Sequence, residues 1–276
     1  MNGSSSGVGP QVRSWRLARR LSQEALAARA DVSPRHLSFV ENGRANPSRE
    51  LVMALTEALD LPLRDRNTLL TLAGFAPVYR SSALDGEELR HLRRALDYVL
   101  AQQEPFGAVV MNGAWEILRV NQGAQRILSC FPPRSADGLV AARNSVLAVL
   151  HPDALRPYVV NWHEVASLLV ARLHREAAST PSEARARLLA AALAMPEVPS
   201  AWRASSPGQP TDPFVTVHLR GPQLEVKLFS MLSTIGTPLD LTAEDLQVET
   251  YFPADEASEA TLRELGQRAA PGARAG

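Results

Sequence analysis

Between residues 11 and 74 apolar positions recur three and four apart in short runs, separated by polar, Gly and Pro positions, the pattern of several short helices. Trp15 and Ala18 mark the inner face of a first helix that Leu21 closes. Ser22 caps a second, with Leu26 and Ala27 inward and Arg29 outward. Asp31-Val32 reads as a tight turn, and Ser33-Pro34 restarts a helix with a capping hydroxyl and a proline in its first turn. Leu37 and Val40 bury one side of that helix, and Asn42-Gly43 ends it because both residues tolerate a left-handed backbone. Ser48 caps a fourth helix with Leu51, Ala54, Leu55 and Leu59 inward, and a fifth runs from Arg64 to Ala73 before Gly74. Residues 1–9 are small, polar and Gly-rich and read as a disordered tail, so the pattern predicts an all-α five-helix domain over residues 10–76.

Residues 77–86 read as a linker, after which the pattern changes. Glu87 to Gln102 is predicted as a long helix with Leu89, Leu92, Leu96 and Val99 on one face. Ala108–Met111 and Trp115–Val120 then read as a β-hairpin turning at Asn112-Gly113, and Gln122 to Ser129 as a short helix. Residues 131–143 read as a Pro/Gly/Ala loop. Amphipathic helices follow over Asn161–Ala177 and Ser182–Ala194, then strands over Phe214–Leu219 and Leu224–Ser230. Thr242, with Asp245 three residues on, resembles a capping box, and Leu246–Phe252 is a last strand. Residues 87–270 thus predict an α+β domain with an antiparallel sheet, and residues 271–276 a frayed tail, making the chain multidomain.

Charge sharpens this division. The net charge is zero, but residues 1–80 carry 11 of the 29 Lys and Arg and 7 of the 29 Asp and Glu, about +4, which leaves 18 basic and 22 acidic residues, about −4, for the rest. A basic segment joined to an acidic one fits a chain in which only one domain meets phosphate. No apolar run reaches the roughly 18 residues of a membrane span, and the N-terminus lacks the basic and apolar regions of a signal peptide. The lone Cys130 excludes an internal disulfide and a multi-cysteine zinc site. These features point to the cytoplasm.

The stretch Leu21 to Arg44 carries a specific chemistry. The major groove of B-DNA admits one helix, and a helix-turn-helix braces one helix across the backbone while projecting the second into the groove. Ala25, Ala27 and Ala28 supply the small residues that let the helices touch. With Leu37 and Val40 turned inward, Ser33, Arg35, His36, Ser38 and Phe39 face outward or flank the second helix. Arg35 is the strongest base-reading candidate, because a guanidinium can pair bidentately with guanine, and Phe39 can touch a thymine methyl. Gln23, near a helix N-terminus, suits a phosphate oxygen, and Asn42 and Arg44 lie beside the backbone after the helix. Leu21-Ser22-Gln23, Leu26-Ala27, Val32-Ser33 and Phe39-Val40-Glu41-Asn42-Gly43-Arg44 resemble the helix-turn-helix of the Xre/Cro family of repressors. That resemblance implies binding to a double-stranded DNA operator, with Gln23 and Asn42 on phosphates and Ser33, Pro34, Arg35 and Phe39 nearest the bases. Proline at 34 has no side-chain donor, so readout there would be by shape or apolar contact.

A second resemblance covers nearly the whole chain. Pro47 to Asp60, Leu63 to Leu70 and Ala73-Gly74-Phe75-Ala76-Pro77 are similar to the junction in MmyB-like regulators. So are Pro105 to Asn121, Asn161-Trp162, Leu232 to Thr242 and Tyr251-Phe252-Pro253-Ala254-Asp255. This resemblance implies a C-terminal PAS-like domain that binds a small apolar ligand, with fatty-acid-like molecules as one class. A helix-covered sheet can line a pocket with Phe106, Val110, Trp115, Ile117, Val165 and Leu169, together with Leu228 and Phe229, and each of these also suits an ordinary core. Asn121, Asn161, His163 and Arg172 are the polar candidates, since a carboxylate ligand wants a cationic side chain or a donor.

Other chemistry recedes on inspection. His163-Glu164 lacks the second histidine of His-Glu-x-x-His, and His163 and His174 stand about 16 Å apart along one helix at ~1.5 Å per residue. His151-Pro152-Asp153 reads as a turn, Cys130 as a buried small residue, and no phosphate-cradling glycine loop occurs. No metal and no cofactor is expected beyond a bound apolar ligand. The residues leave three readings open: a homodimeric transcriptional regulator modulated by a small ligand, a regulator whose second domain serves only dimerisation or protein contacts, and an enzyme fused to a DNA-binding domain. The last would need a convergent catalytic constellation, which the sequence does not display, so the chain reads as a non-enzyme.

Overall fold

The structure, a computed structural model, describes residues 7–179, 182–203 and 215–268 and divides into two units. The first comprises residues up to Ala83 together with Thr237–Glu244, and the second Leu84–Gly236 and the chain from Asp245.

Five helices build most of the first unit: α1 (Val8–Ala18), α2 (Gln23–Arg29), α3 (Pro34–Glu41), α4 (Arg49–Ala58) and α5 (Leu63–Leu72). Ser22, Ser33 and Ser48 each accept a hydrogen bond from a backbone N–H three residues on, those of Ala25, His36 and Leu51. Each such cap contributes about 1 kcal/mol. Val12, Leu26, Leu37, Val40, Leu55 and Leu69 form the centre of a fully buried core. Gly43, with φ +68°, ends α3 as expected. The first helix begins earlier than the composition suggested. Gly9 sits so close to the end of α3 that a Cβ there would stand 2.2 Å from the Val40 carbonyl oxygen. The glycine that read as tail is thus a packing residue, and only residues 1–6 of the expected tail lie outside the described chain.

The expected linker, residues 77–86, splits at Ala83. Its first part is tied to α5, where the Asn67 side chain accepts from the N–H groups of Val78 and Tyr79 and donates to the Tyr79 carbonyl. The segment 237–244 joins the same unit. Glu244 accepts from the Leu63 N–H at 2.9 and 3.0 Å, Asp240 accepts from the Ser82 N–H, and the Leu241 N–H donates to the Arg80 carbonyl. Helix α5 starts after Pro62, which offers no capping side chain, so its cap comes from 181 residues away in sequence.

The second unit opens with a 3-10 turn at Glu87–Leu89 leading into α6 (Arg90–Gln102). Leu96 and Leu100 are its buried residues, and Val99, expected inside, is exposed. Strands β1 (Ala108–Met111) and β2 (Ile117–Val120) follow, then α7 (Gln122–Ser129), α8 (Ala136–Ala141), α9 (Ser145–Leu150), α10 (Trp162–Ser179) and α11 (Glu183–Ala194). The chain then runs through β3 (Val217–Arg220) and β4 (Glu225–Thr234), passes through α12 (Leu241–Asp245), all but the last residue of which belongs to the first unit, and returns in β5 (Gln247–Pro253) and α13 (Glu256–Arg268). The strands form one antiparallel sheet in the order β2-β1-β5-β4-β3. Strand β1 is buried on both faces. Ala108 and Val110 pack with Leu96 and Leu100 of α6, whereas Val109 and Met111 join a core with residues of α9, α10 and α11.

Several local expectations change. The hairpin connection is longer than a two-residue turn: the Asn112 side chain accepts from the N–H groups of Ala114 and Glu116, and the left-handed residue is Trp115 at φ +63°. The region read as a loop contains α8, capped by Ser135; its Gly138 is required because a Cβ would lie 2.3 Å from the Asp153 carbonyl oxygen. The cap of α12 is Asp240, which accepts from the Thr242 N–H at 2.8 Å, rather than Thr242 itself. Phe214, the expected start of β3, lies outside the described residues. Helix α13 was absent from the sequence pattern. Asp255 caps it, and its buried Leu262 belongs to the core around β3 and β4.

Candidate DNA-reading face and ligand cavity

Helix α3 presents the predicted outer face. Pro34, Arg35 and His36 are exposed and Ser38 and Phe39 are half-buried, while Leu37 and Val40 are fully inside. The Arg35 guanidinium lies over the Phe39 ring, 5.5 Å from its centroid, which supports both side chains at the surface. Ser33 is exposed but its hydroxyl caps the helix. Exposed Asn42 donates to the Ser38 carbonyl at 2.8 Å and closes the last turn, and Arg44 stands exposed beyond it.

Gln23 has a role that the motif alone did not reveal. Its side-chain amide donates to Glu41 at 2.7 Å. Glu41 is buried at the end of α3 and receives a bidentate pair from Arg16 of α1, at 2.7 and 2.9 Å. Burial pushes the Glu41 carboxyl upward, but the hydrogen bonds from Arg16 and Gln23 and the charges of Arg16 and Arg13 outweigh it and hold it below the usual carboxylate range. The network locks three helices together and fixes where α3 points.

The second unit contains a cavity of about 380 Å³, within the range of small-molecule pockets. Its wall brings together Trp115, Ile117, Val165, Leu169 and Arg172 with Leu228 and Phe229, as the sequence suggested. Four other candidates are elsewhere. Val110 faces α6, because strand alternation sends Val109 to the cavity instead. Phe106 lies beneath the Arg263 guanidinium of α13, 5.2 Å from its centroid. Asn161 holds β3, donating to the Thr216 carbonyl and accepting from the His218 N–H. His163 is exposed with its ring edge-on to Trp202. A fifth, Asn121, caps α7, accepting from the Ala124 and Ala108 N–H groups and donating to the Leu100 and Phe106 carbonyls. Its four bonds leave an organising residue rather than a ligand contact.

The remaining cavity wall is mostly apolar, with Ile127, Val149, Leu155, Val217 and Leu219 among its residues. Apart from Ser145 of α9, its polar groups are Glu249 and Tyr251, two apart on β5, Ser230 opposite Tyr251 on β4, and Arg172 and Arg175 one turn apart on α10. The Tyr251 hydroxyl donates to Glu249 at 2.9 Å. Burial pushes the Glu249 carboxyl up, and hydrogen bonds from Ser230 and Tyr251 and the charge of Arg172 only partly offset it. Burial and the adjacent Glu249 push the Tyr251 hydroxyl well above its usual range. Arg172 is positioned by Glu176, to which it donates at 2.7 Å, and by the Trp115 ring, 4.6 Å from its guanidinium carbon. Glu249 and Tyr251 escaped the sequence reading because β5 is covered on both faces, with Val248 packed toward α6 and Glu249 and Tyr251 on the cavity, so alternation did not single them out.

Among the described residues no cluster of His, Cys, Asp and Glu could hold a metal ion, and no helix is long and apolar enough to cross a membrane. Cys130 is buried, its thiol donating to the Arg126 carbonyl at 3.4 Å, and His151 accepts from the Asp153 N–H in its turn.

Comparison with known proteins fits this geometry. A helix-turn-helix family model matches residues 12–65, and the model for the MmyB-like transcription regulator ligand binding domain matches residues 92–265. The restriction-modification controller protein C.AhdI from Aeromonas hydrophila is 34% identical over a match covering 21% of this chain and 89% of that one, with a TM-score of 0.21. The clp gene regulator ClgR from C. glutamicum is 33% identical, the match covering 24% of this chain and 83% of that one, with a TM-score of 0.22. A comparison with curated proteins finds no significant match. The chain belongs to the MmyB-like transcription regulators, joining a DNA-binding helix-turn-helix domain to an MmyB-like ligand-binding domain.

Proposed function

We propose that the protein is a cytoplasmic, homodimeric regulator whose operator binding changes when a fatty-acid-like molecule occupies the cavity of its second unit. Each α3 would enter one major groove of a two-half-site operator. Arg35 and Phe39 would read bases, Ser33, Pro34, His36 and Ser38 would line the groove, and Asn42, Arg44 and the Gln23 helix end would meet the backbone. The cavity is the PAS-like sensor site, and its chiefly apolar wall with polar groups on one part suits an amphiphile.

One observation carries the regulatory reading. Strands β4 and β5 both wall the cavity, and the segment that connects them, residues 237–244, belongs to the DNA-binding unit and caps α5 through Glu244. A ligand that favours one arrangement of β4 and β5 therefore acts on a chain segment built into the unit that binds DNA. Such a ligand shifts operator affinity only by its differential affinity for the two arrangements.

The test begins with native mass spectrometry of the purified protein, followed by a spectrum after denaturation. A dimer carrying an apolar molecule that is lost on denaturation is the expected result. An operator selected from random duplexes is then titrated at fixed salt with and without dodecanoate. Equal affinities in the two titrations would show that the ligand does not regulate binding. An empty dimer that dodecanoate does not stabilise would leave the second unit a dimerisation module.

A further inference from the structure

A buried carboxyl group in a pocket that takes an acid presents a problem of charge. Glu249 stands in the cavity wall between Val109 of β1 and Leu232 of β4, its partners in register. The groups around it come from every packed element. On β5 itself Tyr251 donates to its carboxylate, and on β4 Ser230 does the same. Helix α10 brings Arg172, already paired with Glu176, and Arg175. Strand β1 and helix α9 contribute to the wall only uncharged residues, among them Val109 and Ser145. The polar part of the cavity therefore offers a cation and a carboxyl group side by side.

A carboxylate drawn to Arg172 meets Glu249 at the same place. Two ionised carboxylates at close quarters in an apolar wall repel strongly, and the inexpensive arrangement is one proton shared between them. We propose that the cavity binds its fatty acid together with one proton, held between the ligand carboxylate and Glu249 beside Arg172. Glu249 is thus a specificity residue that couples ligand binding to pH. The inference rests on the amphiphile reading above and names the chemistry of its polar end.

The proton balance is simple. Where Glu249 is ionised in the free pocket, ligand carboxylate, Glu249 carboxylate and one proton from solvent give one O–H···O hydrogen bond and a single negative charge. Where Glu249 is already neutral, the acid anion binds with no proton taken up. Affinity is therefore level below the pKa of Glu249 in the free pocket and falls as pH rises above it, until the pKa reached in the complex. Burial, which already pushes this carboxyl upward, moves that window up from the usual carboxylate range.

Dodecanoate and 1-dodecanol, titrated calorimetrically into the full chain between about pH 6 and pH 8.5 in buffers of different ionisation heat, test the idea. For dodecanoate we expect uptake approaching one proton per ligand and affinity falling up to about tenfold per pH unit within the window. For the alcohol we expect neither. Glu249→Gln keeps the size and polarity of the side chain; it should flatten the pH dependence and tighten dodecanoate binding about tenfold at the alkaline end. Tyr251→Phe removes a hydrogen bond that favours the ionised carboxylate and should move the onset of the fall to higher pH. Dodecanoate binding without proton uptake even at the alkaline end of the range, or a slope that survives in Glu249→Gln, would overturn the shared proton while leaving the ligand-binding reading intact. Failure of both dodecanoate and dodecanol to bind would sink the two together.

Discussion

Two residues of the DNA-binding unit illustrate how one short motif divides between support and contact. Glu41 sits inside the family pattern Phe39 to Arg44, yet it is fully buried and holds Arg16 and Gln23. Replacing Glu41 with Ala leaves the Arg16 guanidinium buried without its carboxylate, which should cost about 3 kcal/mol, read as a lower urea midpoint. The pH dependence has a definite sign. The folded-state pKa of Glu41 is depressed, so its contribution is present above the ordinary carboxylate pKa and is lost as pH falls through the folded value. Urea titrations from neutral to acid pH should show that loss in the wild type and lack it in the Ala variant. Arg35 is the opposite case, exposed with its guanidinium resting over the Phe39 ring. Arg35→Ala should weaken specific operator binding by about 1–3 kcal/mol while stability moves by about 0.5 kcal/mol or less. A competition gel shift against random duplex DNA separates this from a general loss of affinity. The outer position of Arg35 follows from the spacing of Leu37 and Val40 alone, whereas the Arg16–Glu41 pair joins residues 25 apart, and helical periodicity is silent on such pairs.

At the scale of elements, the legible ones are those whose boundary chemistry is local. Ser22, Ser33 and Ser48 stand before their helices in sequence and cap them in space. Helix α5 breaks this rule, because Pro62 cannot cap and Glu244 does so from the connection between β4 and β5. Glu244→Ala should therefore cost about 1 kcal/mol and lower the melting temperature of the DNA-binding unit by about 4–8 °C, seen in a thermal scan by circular dichroism. An unchanged melting temperature would mean that solvent caps α5 equally well. The glycines mark the other limit. Gly138 reads as a loop breaker, but it lies within α8 because the Asp153 backbone passes too close for any Cβ. A close approach of distant backbone leaves no trace in a local pattern.

For the whole molecule, the decisive feature is a cavity rather than a solid core in the second unit. Leu169→Trp, from the α10 side, should fill much of that space. We expect it to abolish dodecanoate binding and the ligand's effect on the operator while leaving operator affinity in the absence of ligand unchanged. A filled variant that still responds to ligand would place the sensing site elsewhere.

The sequence by itself determined the two-part organisation, the five helices of the first part, the orientation of α3 and the antiparallel α+β character of the second. These follow from hydrophobic period, capping residues and turn residues, all of which act over a few positions. Only the tertiary structure decided that Val109 rather than Val110 faces the cavity, that Asn121 organises backbone, and that Glu249 and Tyr251 form its polar wall with Arg172. In a strand covered on both faces alternation no longer distinguishes inside from outside, and a void is defined by side chains that fail to meet across elements far apart in the chain.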